Sequence, residues 1–348
     1  MTSAAKKMTI AEVARLAGVS TGTVSRALNG RARIAEETRE KIMRIVKQTG
    51  FVPDHGAQRL ARGATQLIGV AYAEGALRRP YFSYLEDAIQ ETFVQRGYAV
   101  RILDPSDDPV TENCVGFIVP GLHVDDSRPR VLRDLKIPTV VIGEPVKGCA
   151  CVEVQQATGV LEAIHHLVHL GHRRILHITA SPSGQEAIAR FAAYQEGLKR
   201  AKLEFDHNLV VDGNMNDLDA YRAVRKLLER EVPFSAVFAA SDEMALGAIR
   251  ALQDQGLSVP HDVSVVGFDD LPFAKESTPS LSTVRQPIRE IGHLAANVLL
   301  EHLDGKPLRS VQVQTRLVVR GSSAQVSSRM FSTQTTAINT AIYTEIKL

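Results

Sequence analysis

The spacing of apolar residues changes partway along the chain, and the change predicts two kinds of structure. In the first part, apolar positions such as Ile10, Val13 and Ala17 recur every three or four residues, which predicts short amphipathic helices. From Gln66 onward, short apolar runs such as LIGVAY, VGFIV and VSVVGF alternate with amphipathic helical segments. That alternation is typical of parallel sheets with helical crossovers. We therefore predict a small all-α head followed by a larger α/β core.

Residues 9–29, TIAEVARLAGVSTGTVSRALN, predict two short helices joined by a tight turn. Thr9 and, three residues later, Glu12 form a capping-box pattern at the start of the first helix. Gly18 can adopt the left-handed conformation that ends that helix, and Ser20 is placed to cap the second one. The polar face of the second helix then carries small side chains and one arginine: Thr21, Gly22, Thr23, Ser25, Arg26 and Asn29.

This arrangement is typical of a helix-turn-helix, whose second helix lies in the major groove of DNA. Arg26 can form a bidentate pair with guanine there. The alternative is an amphipathic helical pair with a solvated polar face, but the turn, the caps and the downstream pattern all favour DNA binding. A third helix is predicted from Glu36 to Thr49, with Ile42, Ile45 and Val46 as its buried stripe.

The charge distribution supports this division of the chain. Twelve Lys/Arg against five Asp/Glu give residues 1–64 a net charge of +7, and since the whole chain carries +2, the remainder carries −5. A basic head on a mildly acidic body indicates a DNA-binding module rather than a generally cationic protein.

Residues 51–65, FVPDHGAQRLARGAT, connect the head to the core. Asp54 can cap a short helix over residues 55–62, and Gly63 can end it. A helix of this length is marginal alone in water, and Gly56 weakens it by about 1 kcal/mol relative to alanine. The alternative for this segment is a disordered linker.

The composition is that of an ordinary globular protein. The chain contains no apolar run long enough to cross a membrane, and its first residues, MTSAAKKM, lack the apolar core of a signal peptide. The three cysteines form no metal-binding spacing and suit a reducing compartment. The sequence therefore predicts a cytoplasmic protein with no membrane partner.

The head and the segment SDEMALGAIRALQDQGLSVPHDVSVVGFDD, residues 241–270, resemble the LacI/GalR family of bacterial transcriptional regulators. The resemblance implies a helix-turn-helix domain over 1–50, a hinge helix or linker over 51–65 and an effector-binding and dimerisation core over 66–321. That core is expected to be periplasmic-binding-protein-like, with two Rossmann-like subdomains around a cleft. Residues 322–348, rich in Ser and Thr, are predicted to be a disordered tail.

The resemblance also implies where the chain passes between the two subdomains. Crossings are expected near Ala163–Gly171, near Arg285–Pro287 and again after Gly305. One departure from the family is physical: the link from Asp104 to Cys114, with two prolines, is too short for a full crossover helix. We therefore predict that the second helix of the first subdomain is missing or reduced, next to the expected subunit interface.

The function implied by the resemblance is a nucleoid-associated regulator, acting as a repressor. It would bind a pseudo-palindromic double-stranded operator as a homodimer, under the control of a sugar-like effector in the cleft. In the family the hinge helices pair on operator DNA, with Ala57 in the close packing and Leu60 wedged into the minor groove. The predicted DNA contacts are Thr9, Ile10, Ser20, Thr21, Gly22, Thr23, Ser25, Arg26, Asn29, Arg33, Thr38, Ala57 and Leu60.

The family match also suggests effector contacts. Arg190, in IARFAAYQEGL, and Asp242, at the start of a helix, match cleft positions and could hold a polar ligand by charge-assisted hydrogen bonds. The alternatives are a surface salt bridge for Arg190 and a helix N-cap for Asp242. Where the family has an aspartate and a stacking aromatic, this chain has other residues, so aromatic surface would come from elsewhere. The remaining predicted contacts are Gln155, Met215, Phe268 and Tyr72, with Phe82 as a further aromatic.

Other functions find less support in the sequence. His165 and His169 lie four residues apart, as two zinc ligands could, but no third ligand accompanies them, so no metal site is predicted. The chain has no nucleophile elbow, P-loop or dinucleotide fingerprint, which argues against an enzyme and predicts no cofactor. The main alternative is a periplasmic-type sugar-binding protein without a DNA role, which the basic head opposes.

Overall fold

The computed structural model describes residues 9–28, 35–49, 66–73, 79–103, 113–180 and 183–326. The chain divides into two compact units, residues 1–65 and 66–348. This division coincides with the predicted start of the α/β core at Gln66. Among the described residues, no helix has the length and apolar character needed to cross a membrane.

The described part of the first unit forms a small helical head of α1 (Ile10–Ala17), α2 (Thr21–Leu28) and α3 (Glu36–Thr49). The predicted capping box of α1 is confirmed. The Thr9 hydroxyl accepts a hydrogen bond from the Glu12 amide at 3.3 Å, and the Glu12 carboxylate accepts one from the Thr9 amide at 2.8 Å. Gly18 ends α1 at a φ of 70°, the left-handed region in which a side chain is disfavoured.

The second helix begins as predicted, because the Ser20 hydroxyl accepts a hydrogen bond from the Thr23 amide at 3.1 Å. Val13, Val24 and Ile42, one from each helix, are fully buried against one another. Val19, Ile45 and Val46 pack against this cluster as partly buried residues. The three helices thus share one apolar core.

We expect Thr9→Ala to lower the local stability of α1 by about 1 kcal/mol, because the variant loses the side-chain half of the capping box. Amide hydrogen exchange on the full chain should show protection in α1 reduced about fivefold. Thr21→Ala, at an exposed position within α2, serves as the control and should leave α1 protection unchanged. Equal protection in Thr9→Ala and in the parent protein would contradict the capping role.

The second unit contains two sheets, each six-stranded within the described residues. The first sheet has the order β11-β5-β4-β3-β1-β2 and is parallel throughout. Its strands are β1 (Gln66–Ala71), β2 (Tyr98–Leu103), β3 (Cys114–Pro120), β4 (Thr139–Ile142), β5 (Ala150–Gln155) and β11 (Val311–Gln314).

The second sheet has the order β12-β10-β9-β8-β6-β7 and is parallel except for the antiparallel edge pair of β10 and β12. Strands that are buried on both faces have continuous apolar sequences, and segments such as VSVVGF could therefore be predicted as strands. The strands are β6 (Ile175–Thr179), β7 (Val210–Asp212), β8 (Ala236–Ala239), β9 (Ser264–Asp269), β10 (Ser282–Arg285) and β12 (Arg316–Val318).

Helices cover both faces of each sheet and bury its apolar side chains. The first sheet packs against α4 (Pro80–Val94) and α11 (Ile288–Leu303) on one face and α5 (Arg128–Asp134) on the other. The second sheet lies between one pair of helices, α6 (Gln156–His169) and α7 (Gln185–Arg200), and another, α8 (Asp217–Glu229) and α9 (Asp242–Gln253). A 3₁₀ turn (His207–Leu209) and the short helix α10 (Pro272–Glu276) complete the described helices.

Between its described elements, the chain passes from one sheet to the other three times. The first crossing was predicted near Ala163–Gly171, but it lies between Gln155 and Gln156, because the whole of α6 packs on the second sheet. The other two lie where they were predicted, between β10 and α11 and, after Gly305, between β11 and β12. Each subdomain is therefore assembled from separate stretches of sequence.

The predicted boundary of the tail at residue 322 is wrong, because residues 322–326 pack against the second subdomain. Ser322 is fully buried, and its hydroxyl donates to the Val265 carbonyl at 2.6 Å. The Val326 amide donates to the Leu170 carbonyl at 2.9 Å. The remaining tail residues, 327–348, lie outside the described residues, as do residues 104–112 of the predicted shortened crossover.

Candidate DNA-binding surface and effector cleft

The predicted DNA contacts lie in the helical head wherever the structure describes them. Thr9, Ser20, Thr21 and Gly22 are exposed. Thr23 and Thr38 are half-buried. The structure thus leaves the start of α2 accessible, with small polar side chains on its surface. The other predicted contacts lie outside the described side chains: Ile10, Ser25, Arg26, Asn29, Arg33, Ala57 and Leu60.

A cavity lies between the two subdomains, at the carboxyl ends of their parallel strands. This is the position at which open α/β sheets bind ligands. The first subdomain contributes mainly apolar and backbone surface, and the second contributes polar and charged side chains. The lining residues are Arg79, Tyr81, Phe82, Pro120, Gly121, Ile142, Gly143, Val154, Gln156, Glu186, Arg190 and Gln286.

Arg190, on α7, is the buried cation of this cavity, with 2% of the residue exposed. Its Nε donates to the Gln156 side chain at 2.9 Å, and its Nη1 donates to the Ala240 carbonyl. The guanidinium carbon lies 3.9 Å from the ring centroid of Phe268, a favourable cation–π distance. Arg190 therefore lies in the cleft, as predicted, and the alternative of a surface salt bridge does not hold.

Asp269, at the end of β9, balances this charge. Its Oδ1 lies 3.8 Å from Arg190 Nη2 and accepts a hydrogen bond from the Gln286 amide group at 2.5 Å. Burial raises the pKa of the Asp269 carboxyl, and the Arg190 charge opposes that rise. The backbone of Asp269 has a φ of 120°, a value that residues other than glycine rarely adopt. The contacts around Asp269 must therefore hold its backbone in this conformation.

Two acceptor atoms of this cluster have no hydrogen-bond partner within the described part of the chain. They are Oδ2 of Asp269 and Oε1 of Gln286, both buried. A buried polar atom without a partner is costly, so such atoms mark a place where a polar ligand can bind. Asp269, Gln286 and Gln156 were not among the predicted effector contacts, although the motif GFDD contains the first of them.

The position of Asp242 does not support the predicted effector contact. The residue is fully buried, and both carboxylate oxygens are occupied by the Leu271 amide at 2.8 Å and the Thr283 hydroxyl at 2.5 Å. Burial raises the pKa of this carboxyl well above its usual range. The alternative N-cap role falls to Ser241, whose hydroxyl accepts from the Met244 amide at 3.2 Å. Asp242 instead ties the β9–α10 loop to β10.

Three further predicted contacts do not line the cavity. The Gln155 side chain donates to Glu153 at 2.7 Å, so it is Gln156 that lines the cavity. Met215 packs against the apolar core of the second subdomain. Tyr72 is fully buried, with its ring 5.3 Å from that of Phe82. Phe268, also fully buried, contributes only as the platform beneath Arg190.

The histidine-rich segment has structural contacts. His165 and His169 stack with their ring centroids 6.4 Å apart, and His166 Nε2 lies 2.9 Å from the Ser323 hydroxyl oxygen. His172 is buried and hydrogen-bonded to Ser235, Ser264 and the Ala324 carbonyl. Two of these histidines therefore fasten the last described residues to the core. No group of three or more potential metal ligands occurs among the residues that the structure describes.

Comparisons with known proteins agree with both parts of this architecture. The family model for "Bacterial regulatory proteins, lacI family" matches residues 9–54. The family model for "Periplasmic binding protein-like domain" matches residues 164–323. The HTH-type transcriptional regulator CelR of Thermobifida fusca is 31% identical over 335 residues, covering 91% of this chain and 98% of that protein. The chain belongs to the LacI family of bacterial transcriptional regulators. It is a DNA-binding regulator and not an enzyme.

Solved structures show the same fold. A complex of the transcriptional regulator CelR with cellobiose has a TM-score of 0.68 at 29% identity, covering 91% of this chain and all of that one. The lac repressor dimer bound to operator and the anti-inducer ONPF also has a TM-score of 0.68, at 26% identity, with 92% of this chain covered and all of that one. The LacI-family core of this chain is thus a periplasmic-binding-protein-like pair of α/β subdomains.

Proposed function

We propose that this LacI-family protein is a bacterial, cytoplasmic repressor that binds a pseudo-palindromic operator as a homodimer. A small polyhydroxylated effector in the cleft would control its affinity for DNA. The observation that carries the proposal is the presence, in one chain, of a capped helix-turn-helix and a cleft between two α/β subdomains that contains a buried charge pair.

The DNA part of the proposal rests on the head. Its helices are fixed by the Thr9 capping box and by the buried contacts of Val13, Val24 and Ile42. A fixed helix pair can place the exposed start of α2 against the major groove without a large ordering cost. The lac repressor relative is a dimer on its operator, and a two-fold dimer requires two half-sites related by symmetry.

The effector part rests on the cleft. Arg190 and Gln286 line the cavity, the first with a buried guanidinium and the second with an Oε1 acceptor that has no partner in the described residues. Asp269 lies behind them, and its buried Oδ2 is also without a partner there. This combination of a cation and free acceptors suits a ligand with adjacent hydroxyl groups, which both accept and donate hydrogen bonds. The CelR relative binds cellobiose, a compound of that type.

Footprinting on the promoter region of its own gene tests the first part. We expect a symmetric protected site and a stoichiometry of two chains per site. Protection of an asymmetric site by a single chain would contradict the proposal. Candidate effectors should be screened by their effect on the same footprint. An effector that changes the affinity of the protein for DNA must bind the DNA-bound and DNA-free protein with different affinities.

Arg26→Ala should weaken operator binding by about 1–3 kcal/mol and relax sequence choice at one base pair, if Arg26 pairs with guanine. The measurement is the affinity for the operator and for single-base variants at constant salt, since phosphate contacts vary with salt. Arg200→Ala, in the core helix α7, is the control and should leave both quantities unchanged. An equal loss on every DNA sequence would instead indicate that Arg26 contacts phosphate.

A further inference from the structure

Another pocket lies on the first subdomain, at the edge of the sheet opposite the cleft. It is formed where the neighbouring parallel strands β4, β5 and β11 begin, whereas the cleft lies at the carboxyl ends of the strands. Its volume is about 130 Å³, which suits one small group rather than a whole metabolite. The lining residues in the described part of the chain are Arg133, Lys136, Ile137, Pro138, Thr139, Gly148, Cys149, His302 and Leu308.

The ionisable groups of this pocket favour a negatively charged ligand. Three lining side chains are basic, Arg133, Lys136 and His302, and none of the described lining residues is acidic. The cleft differs in this respect, because its cation Arg190 is opposed by Asp269. Since the cations of the pocket have no carboxylate among its walls, an anion is the group that balances them.

Arg133, near the end of α5, is held in place by contacts within the protein. Its Nη1 donates to the Lys147 carbonyl at 3.2 Å, and its Nε and Nη2 donate to Asp134 Oδ1 at 3.1 and 2.9 Å. An arginine has five N–H groups, so two remain for a ligand. The Asp134 side chain is 63% exposed, so water screens its pairing with Arg133 and the guanidinium keeps much of its attraction for an anion.

The backbone at Gly148 makes room for the stem of Arg133. Gly148 has a φ of 84°, in the left-handed region that favours glycine. A Cβ added there would lie only 2.7 Å from Arg133 Cδ, so a larger residue would displace the arginine. The glycine thus allows the guanidinium to lie at the wall of the pocket.

Lys136 supplies the second cation. Basic side chains near the end of a helix often serve its last carbonyls. Here main-chain amides do so, because the Lys136 amide donates to the Arg133 carbonyl at 2.8 Å and the Ile137 amide to the Leu132 carbonyl at 3.0 Å. Within the described residues the Lys136 ammonium has no ion pair, so it is available to a ligand.

His302, in the last turn of α11, supplies the third basic group. Its Nδ1 lies 3.2 Å from the Lys306 carbonyl oxygen. Because a carbonyl can only accept, Nδ1 carries a proton and Nε2 is left for a ligand. The adjacent Glu301 is already paired, with Arg309 at 2.7 Å and Lys306 at 3.8 Å. It therefore does not compete for His302.

A phosphate group matches these three side chains. The N–H groups of an arginine can bind two phosphate oxygens at once, and a lysine adds a compact positive charge. His302 Nε2 can accept the remaining proton of hydrogen phosphate, or donate one when the ring is charged. A phosphate monoester carries a charge of about −1.5 to −2 at pH 7. At the rim, Leu308 is 44% exposed and offers apolar surface to the organic part of such an ester.

We propose that this pocket binds a dianionic phosphate group, either as inorganic phosphate or as the terminal group of a small phosphate monoester. Arg133 and Lys136 bind the phosphate oxygens, and His302 binds the protonated or charged side of the group. The site lies at the opposite edge of the sheet from the cleft. The proposal therefore does not depend on the effector role proposed for the cleft.

Isothermal titration calorimetry of the full-length protein in a phosphate-free buffer tests the proposal. The probes are inorganic phosphate, glycerol 3-phosphate and the singly charged dimethyl phosphate. We expect at least one of the first two to bind with a Kd of about 1 mM or tighter, and dimethyl phosphate to bind at least about tenfold more weakly. Tighter binding of glycerol 3-phosphate would identify a monoester as the ligand, and tighter binding of inorganic phosphate would identify the free ion.

The double variant Lys136→Met/His302→Gln locates the binding. It should lose at least about tenfold in affinity for the dianionic probes. Lys306→Met is the matched control, because it removes the same charge from a side chain that pairs with Glu301 and does not line the pocket. Its affinity should stay within about twofold of that of the parent protein. Circular dichroism checks that both variants keep the fold.

Four results would overturn the proposal. They are a Kd weaker than about 10 mM for both dianionic probes, equal binding of dimethyl phosphate, an unchanged affinity in the double variant, and an equal loss in Lys306→Met. The third result would show that the basic head, and not this pocket, attracts the phosphate.

Discussion

Arg190→Ala is expected to lower the free energy of unfolding of the core by about 3–5 kcal/mol, because it leaves the buried Asp269 carboxylate without its cation. The variant also loses the hydrogen bonds from Arg190 to Gln156 and to the Ala240 carbonyl. Urea unfolding of the full-length protein, followed by circular dichroism, measures the loss. We expect any effector to lose its influence on operator affinity in the same variant, while operator binding itself persists.

The loss should depend on pH in a defined direction. Burial already raises the pKa of Asp269, and removing the Arg190 charge raises it further. A carboxyl whose pKa is raised on folding contributes stability that is fully present below its unfolded pKa, near 4, and is lost as the pH rises through its folded pKa. Arg190→Ala should therefore be less destabilised at pH 5 than at pH 8.

A double variant provides the control for this explanation. Arg190→Leu/Asp269→Asn removes both charges and should recover much of the stability lost by Arg190→Ala, with little pH dependence. Equal destabilisation of Arg190→Ala at pH 5 and pH 8 would show that the carboxyl of Asp269 is not the cause. The remaining effect would then be assigned to the lost hydrogen bonds and to the lost packing on Phe268.

Gly247→Ala should destabilise the second subdomain by about 3 kcal/mol, although alanine is the better helix former. Gly247 lies in α9, and an added Cβ would overlap the carbonyl oxygen of Asp217 at the start of α8. Because that neighbour is backbone, the two helices would have to separate. The measurement is the urea midpoint of the full-length protein at constant m-value.

Gly184→Ala is the matched control for that substitution. A Cβ at Gly184 would make only ordinary contacts, the nearest at 3.7 Å, and its backbone is in a region open to alanine. The change in the free energy of unfolding should stay at about 1 kcal/mol or below, the cost of placing alanine instead of glycine at the N-cap of α7. If Gly247→Ala were as stable as Gly184→Ala, α8 and α9 would not be in close backbone contact at Gly247 and Asp217.

The helical head was the part of the structure that could be predicted best from the sequence. Its caps and turn depend on residues three or four positions apart, such as Thr9 with Glu12 and Ser20 with Thr23. The predicted bounds of α3, Glu36 to Thr49, agree with the structure. Local hydrogen bonds and helical periodicity are encoded in neighbouring residues, so a single sequence suffices to read them.

The cleft could be predicted only in part, because its polar contacts join residues that are far apart in the sequence. Arg190 was found through its motif, but the pairing of Gln156 with Arg190 spans 34 positions, and that of Asp242 with Thr283 spans 41. Whether Gln155 or Gln156 faces the cavity depends on the start of α6, a difference of one residue. Such registers are set by packing between elements, and no local pattern specifies them.

The three passages between the sheets affect the order in which the protein can fold during synthesis. The first sheet begins at Gln66, but its edge strand β11 and its covering helix α11 are made after residue 287. Until then, the apolar face around Ile118 and Val140 lacks the cover that Ile291 and Leu299 provide. The ribosome therefore finishes the second subdomain's main strands before the first can close. A premature stop near residue 287 would leave the entire head intact on a first subdomain that cannot bury its core.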